Sequence, residues 1–242
     1  MVGKSPSSRR RPRTLSVDIG GTGIKMLVLD PSGAPVTERT RVRTPQPATP
    51  RKVLSALAGM LPRHRPFDRA SVGFPGVVQD GIVKTAPNLD DRSWRGFPFQ
   101  ATLRRQIHRP VRVCNDADMQ GFGAVQGRGV EMVITLGTGV GSALFIDGTL
   151  VPNLELGHHP YHRGKTYEDM LGQDALDEIG KTRWRRRVRR AVAQIEPIWN
   201  YLVLYIGGGN SRLLDAADLP GNVKIVANKT GLLGGIALWK RR

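Results

Sequence analysis

The chain has 242 residues, 37 Lys and Arg against 20 Asp and Glu, and a formal net charge of +17. A hydrophobic share of 39% is ordinary for a folded protein and excludes disorder over most of the chain; a single cysteine excludes an intramolecular disulfide framework and a cysteine-based zinc site. The longest uncharged stretches, 132–146 and 197–211, carry glycines and are too short for a membrane span, and the basic N-terminus lacks the apolar run of a secretory signal, so the expectation is a soluble, cytoplasmic protein with an anionic partner and no membrane.

Residues 1–13, rich in Ser, Pro and Arg, read as a disordered basic arm. Apolar runs over 14–18 and 24–29 flank Gly20-Gly21-Thr22-Gly23, and 36–42 supplies a third strand. A Pro-rich loop over 44–50 leads into a helix over 51–61, with Val53, Leu54, Leu57 and Leu61 at helical spacing. A strand over 70–74 runs into Pro75-Gly76, and a hairpin over 77–85 turns at Asp80-Gly81. A helix over 99–107, a strand over 111–114 and a helix over 117–126, entered through Asn115-Asp116, follow. The pattern then recurs. A strand over 132–136 meets Gly137-Thr138-Gly139-Val140-Gly141 and returns over 142–146. Two strand–Gly-Thr-Gly–strand units half a chain apart point to two related α/β domains with a cleft between them, 14–115 and 116–230. The second continues with helices over 168–179 and 183–198 (Pro197 capping or kinking the latter), a strand over 202–206 that meets Gly207-Gly208-Gly209-Asn210, and a strand over 223–226. A last helix over 231–239 is free to pack back on the first domain.

The positive excess is concentrated in three places: the arm, the stretch Lys181–Arg190, and Lys240-Arg241-Arg242. In the middle stretch Trp184, Val188, Ala191, Val192 and Ile195 form one apolar helical stripe, which leaves Lys181, Arg183, Arg185, Arg186, Arg187, Arg189 and Arg190 around the rest of the helix. An ordinary solvated face would pair such arginines with glutamates. With none to pair them they repel one another, and an anion-binding face is the better reading.

The glycine turns carry the chemistry. Without Cβ atoms, Gly20, Gly21 and Gly23 let backbone N–H groups approach phosphate oxygens, the Thr22 hydroxyl adds a donor, and Lys25 adds a point charge. Asp18, ending its strand, suits Mg²⁺ held through water. One such turn is an ordinary glycine hairpin. A second, Gly137-Thr138-Gly139, makes a pair able to grip both ends of a phosphoryl group in transit. Asn115-Asp116 fits either a helix N-cap or a substrate-orienting amide beside a general base. Glu155 and His158 suit sugar hydroxyls. His159 and His162 have no cysteine beside them and Pro160 between them, which disfavours metal.

In order, Asp18-Ile-Gly-Gly-Thr22…Lys25, Asn115-Asp116, Leu136-Gly-Thr-Gly-Val-Gly141, Glu155-Leu-Gly-His158 and Gly207-Gly-Gly209 resemble the ROK family of sugar kinases and repressors, over roughly residues 15–238. Within it, Thr44-Pro-Gln-Pro-Ala-Thr-Pro50, Gly73-Phe-Pro-Gly76, Pro87-Asn88 and Ile206-Gly-Gly-Gly-Asn210 are similar to the polyphosphate glucokinases. The resemblance implies an actin/hexokinase-like (ribonuclease H-like) fold and Asp116 as the base for the glucose 6-hydroxyl. It implies Asn88, Asn115, Glu155, His158 and Glu168 on glucose, and Gly20–Gly23, Gly137–Gly139 and Gly208 on phosphate. Mg²⁺ and a homodimer are further expectations. The family's Cys-x-Cys-Gly-x-x-Gly-Cys zinc motif is missing, so no zinc is expected. The Lys181–Arg190 helix then reads as a polyphosphate track, with ATP as the alternative donor. The family's repressors carry an added helix-turn-helix, for which the residues ahead of 14 are too few, so no specific nucleic acid is expected.

Overall fold

The computed structural model describes residues 11–226 and 230–239; most of the basic arm and Lys240–Arg242 fall outside the described residues. β1 (Thr14–Ile19) and β2 (Gly23–Leu29) form an antiparallel hairpin across the first glycine turn, and β3 (Thr40–Arg43) pairs with β2. α1 (Pro50–Met60), capped by the Thr49 hydroxyl on Lys52 N–H, leads through a 3-10 turn to β4 (Arg69–Phe74), which runs parallel to β1. The small hairpin β5 (Val78–Gln79) and β6 (Ile82–Val83), then α2 (Asp91–Trp94) and α3 (Phe99–Ile107), precede β7 (Val111–Asn115), parallel to β4. α4 (Asp116–Ala124) crosses to the second sheet.

That sheet repeats the plan. β8 (Val130–Leu136) and β9 (Val140–Ile146) form the second glycine hairpin, and β10 (Thr149–Val151) pairs with β9. The hairpin β11 (Pro160–His162) and β12 (Lys165–Thr166), α5 (Tyr167–Leu171) and α6 (Gln173–Trp199) lead to β13 (Val203–Gly207), parallel to β8, and to β14 (Val223–Ile225), parallel to β13. The strand orders are β3-β2-β1-β4-β7 and β10-β9-β8-β13-β14. The second is the first repeated, with the same senses of pairing, so the duplication read from Gly-Thr-Gly extends to whole sheets.

Each sheet has its own apolar core. In the first, Trp94 meets Phe74 and Phe99 edge to face, and Trp94 Nε1 donates to Ala48 O at 2.7 Å. In the second, the predicted stripe Trp184, Val188, Ala191, Val192 and Ile195 is buried against the sheet. α7 (Thr230–Leu233) and a 3-10 turn over Gly234–Trp239 return to the first sheet, where Ser16 Oγ donates to Leu232 O and Ser71 Oγ to Gly235 O.

Three local expectations are corrected. The third strand begins at Thr40, not 36, because Val28 N–H donates to the Thr37 hydroxyl instead of a strand carbonyl, and Thr37 also bonds His64. The helix over 168–179 is instead two pieces, α5 and the first limb of α6, parted at Gly172; the break expected before 183 falls at Gly180, whose φ of 75° is left-handed, and the helix predicted over 183–198 is the second limb of α6. Pro197 sits inside its last turns, and Asn200 closes it. The final helix is mostly a 3-10 turn. A Cβ at Gly234 would lie 1.8 Å from Met119 O, so only glycine allows this close approach to α4.

Candidate active site

A cleft of about 570 Å³ opens between the two glycine hairpins. The structure brings the predicted residues Asp18, Gly20, Gly21, Thr22, Gly23, Lys25, Asn88, Asn115, Asp116, Gly137, Thr138, Gly139, Glu155, His158, Glu168 and Gly208 together on its wall.

The first turn is closed by Gly20 N–H to Gly23 O and held by the Thr44 hydroxyl on Gly20 O at 2.6 Å. The second is closed by Gly137 N–H to Gly139 O; Asn210 Nδ2 donates to Gly137 O, and Gln173 N–H donates to Thr138 O. Asn88 stands between them. A Cβ on Gly21 would come 3.1 Å from Asn88 O, and one on Gly139 3.3 Å from Asn88 Nδ2. The glycines therefore allow two backbones to close on one residue.

Asp116 is the first residue of α4. Asn115 caps that helix, its Oδ1 accepting from the N–H groups of Ala117 and Asp118, while its Nδ2 donates to Glu155 Oε1 at 3.2 Å. The two readings of Asn115 are thus compatible: one end of the amide is the cap, and the other faces the cleft. Burial pushes the Asp116 carboxyl up to about 8, with the Asp18 charge as the next contribution. Burial also raises Glu155, with His158 opposing and Glu168 adding to the rise. His158 Nε2 lies 3.4 Å from Glu155 Oε2, and Glu168 Oε2 accepts from Val140 N–H at 2.9 Å.

Lys25 does not face the cleft as an unpaired charge, because its Nζ bonds Asp18 Oδ2 at 2.7 Å. Among the described residues no group of three or more His, Cys, Asp or Glu is placed to hold a metal. The Asp18 carboxylate alone, acting with phosphate oxygens, is still a donor set that Mg²⁺ takes, since that ion usually keeps its waters and one or two carboxylates.

The structure does not bring the predicted track into the cleft: Lys181, Arg183, Arg185, Arg186, Arg187, Arg189 and Arg190 are absent from its wall. The apolar stripe of α6 packs on the sheet and carries the arginines to the outer side. Several are occupied there: Arg185 donates to Leu213 O, Arg187 to Met170 O, and Arg189 pairs with Asp218 at 3.3 Å. Sequence reasoning missed Arg39, Arg41, Gln120, Gln173, Asn210 and Arg212, which all line the cleft. The alternation of Arg39, Arg41 and Arg43 was a readable signal for one strand face; nothing local marked Gln120 or Gln173.

The ROK family matches residues 14–166. The chain belongs to the ROK family. This ROK protein is 34% identical over 223 residues to the polyphosphate glucokinase of Mycobacterium tuberculosis (strain CDC 1551 / Oshkosh), a match that covers 88% of this chain and 83% of that one. It is 35% identical to the inorganic polyphosphate/ATP-glucomannokinase from Arthrobacter sp. strain KM, with a TM-score of 0.85 over 94% of this chain and 99% of that one. A ROK family glucokinase from Streptomyces griseus, solved with glucose and AMPPNP, shares the fold at a TM-score of 0.78 and 22% identity, covering 93% of this chain and 98% of that one. The fold is the actin/hexokinase-like one the motifs implied.

Proposed function

We propose that the protein is a glucokinase that transfers the terminal phosphoryl group of inorganic polyphosphate to the 6-hydroxyl of glucose. The observation that carries the reading is the position of Asp116. It lines one cleft together with Asn115, Glu155, His158 and Glu168, a set of hydrogen-bonding groups suited to a sugar, and with two glycine turns suited to phosphate. The names borne by the M. tuberculosis and Arthrobacter relatives supply the substrates.

In this reading Asn88, Asn115, Glu155, His158 and Glu168 hold the sugar hydroxyls. The 6-oxygen attacks the terminal phosphorus as Asp116 takes its proton, and the bridging P–O bond breaks to release the shortened polymer as an anion. N–H groups of Gly21–Gly23, of Thr138 and Gly139, and of Gly208 stabilise the equatorial oxygens, while those of Gly20 and Gly137 close the two turns. Asp18 would hold Mg²⁺, which supplies charge neutralisation when bound. A base near 8 is well matched to a hydroxyl proton at neutral pH. A cytoplasmic homodimer completes the proposal.

The second reading is a dual-donor enzyme that also uses ATP, and mannose beside glucose, favoured by the name of the Arthrobacter neighbour. A coupled glucose 6-phosphate assay with polyphosphates of several lengths, ATP and GTP separates the two. Turnover with polyphosphate is expected; turnover with ATP alone would overturn the first reading.

A further inference from the structure

The cleft mouth carries an arginine pair that the glycine turns do not account for. Arg41, in the edge strand β3, and Arg39, just before that strand, are both exposed and both on the cleft wall. Arg41 pairs in register with Lys25, and its guanidinium covers the first glycine turn: a Cβ on Gly23 would sit 2.7 Å from Arg41 Nε. Arg212 faces the same cleft from the second domain, on the 3-10 turn Ser211–Leu213 just past Gly208-Gly209-Asn210. Among the described residues none of these three arginines has an ion-pair partner, whereas Lys25 is already matched by Asp18.

Behind Arg212, the structure gives the arginine helix a different use from the one its sequence suggested. Arg185 holds the carbonyl of Leu213, next in the chain to Arg212, and Arg189 holds Asp218 of the same connection. Two α6 arginines thus brace the segment that presents Arg212, and only Lys181, Arg183 and Arg186 remain exposed without a partner among the described residues.

We infer that Arg39 and Arg41 of the first domain and Arg212 of the second form a cross-cleft clamp on the phosphates next to the one transferred, and that the outer face of α6 meets only more distant phosphates of a long chain. The inference rests on the proposed polyphosphate reaction. A linear polyanion has a charge on every unit and no base to anchor it, so cations on both walls suit it. Their planar guanidinium groups add paired donors. An exposed clamp also exchanges counterions readily, which makes its contribution sensitive to salt.

The test uses three variants of the full chain: Arg39→Gln with Arg41→Gln, Arg212→Gln, and Lys181→Gln with Arg183→Gln and Arg186→Gln. The readouts are KM for long-chain polyphosphate and for tripolyphosphate, the latter as a competitive inhibition constant if it is not a donor, each against NaCl. All these side chains are exposed, so unchanged melting is the check on folding. The first two variants are expected to raise both constants about tenfold or more, leave the glucose KM unchanged, and lower the slope of log KM against log salt by about 0.7–0.9 per arginine removed. The α6 variant is expected to raise the constant for the long chain only. Unchanged constants in the first two variants, or an equal rise for tripolyphosphate in the α6 variant, would overturn the clamp. Failure of the underlying reading is distinct, since it appears in the unmutated protein as an absence of polyphosphate turnover.

Discussion

The first glycine turn is held by Thr44 just past β3 of its own sheet, whereas the second is held from two places, by Asn210 just past β13 of its own sheet and by the N–H of Gln173 at the start of α6. The first has the Asp18–Lys25 pair beneath it and arginines along its edge strand; the second has no charged edge and instead docks Glu168 on Val140 N–H. Two copies of one hairpin therefore differ in what surrounds them. In the proposed reaction the first would supply charge to the donor, and the second would supply shape and, through Glu168, link the donor side to the sugar side.

The sharpest way to break this division is at the residue both halves address. Asp116→Asn is expected to lower turnover by about 10²–10⁴-fold while glucose still binds, read by the coupled assay and by calorimetry. Near-normal kcat would remove Asp116 from the mechanism. The same variant carries a stability signature. In the folded protein the carboxyl sits at about 8 against an ordinary 3.8, so the fold favours its protonated form. That contribution is whole below about pH 4 and is lost as pH rises through 8, and the asparagine variant should out-melt wild type by a margin that grows over that window.

Next in size is the pH profile. Asp116 must be ionised to accept a proton, so kcat/KM should rise about tenfold per pH unit and level off near 8. Because the Asp18 charge contributes to that elevation, Asp18→Asn should move the acid limb to lower pH, whatever it does to the height of the profile. A limb that stays in place would separate the first turn from the base.

Paired glycine variants compare positions within the second turn. A Cβ on Gly139 would fall 2.2 Å from Glu168 Oε2, so Gly139→Ala should displace Glu168 and raise the glucose KM roughly tenfold, in line with overpacking of about 1–3 kcal/mol. Gly137 has open space around it, so Gly137→Ala should fold normally and raise only the donor KM, by a few-fold. Equal effects on both substrates would erase the distinction between sugar side and donor side.

The smallest expected effect lies outside the cleft. Trp239 Nε1 donates to Ser71 Oγ at 2.8 Å, and its ring centroid lies 4.9 and 4.6 Å from the guanidinium carbons of Arg69 and Arg112. Trp239→Ala should cost about 1–3 kcal/mol, read as a lower Tm. An unchanged Tm would mean the first sheet does not need this cover.

Much of this was legible in the residues. Gly-Thr-Gly between apolar runs identified both hairpins, and ordered motifs named the groups that meet in the cleft, because glycine and carboxylate chemistry is local. The stripe from Trp184 to Ile195 told correctly which face of α6 is buried. What could not be read was where long side chains end. Arg185 and Arg189 looked like free cations because their partners, Leu213 and Asp218, come from a distant connection. Arg39 and Arg41 looked like part of an ordinary strand, and only the sheet order brings their edge to the cleft. The start of β3 was misplaced because a threonine hydroxyl replaced a strand carbonyl, a substitution that leaves no trace in hydrophobic alternation.

The return of α7 and its 3-10 turn to the first sheet has a consequence for how the molecule is made. Ser16 bonds Leu232 across 216 residues of sequence, and Gly234 rests against α4, the helix that begins with Asp116. As a ribosome releases the chain, the first sheet emerges long before the segment that covers one of its faces. Until that segment arrives, the helix that begins with Asp116 lacks one of its supports and apolar surface around Leu27 and Leu29 stays open to solvent. Contacts of such range are slow to form, so under the proposed function the last step of maturation is the one that seats Asp116, and a nascent or stalled chain carries its cleft residues before it can act.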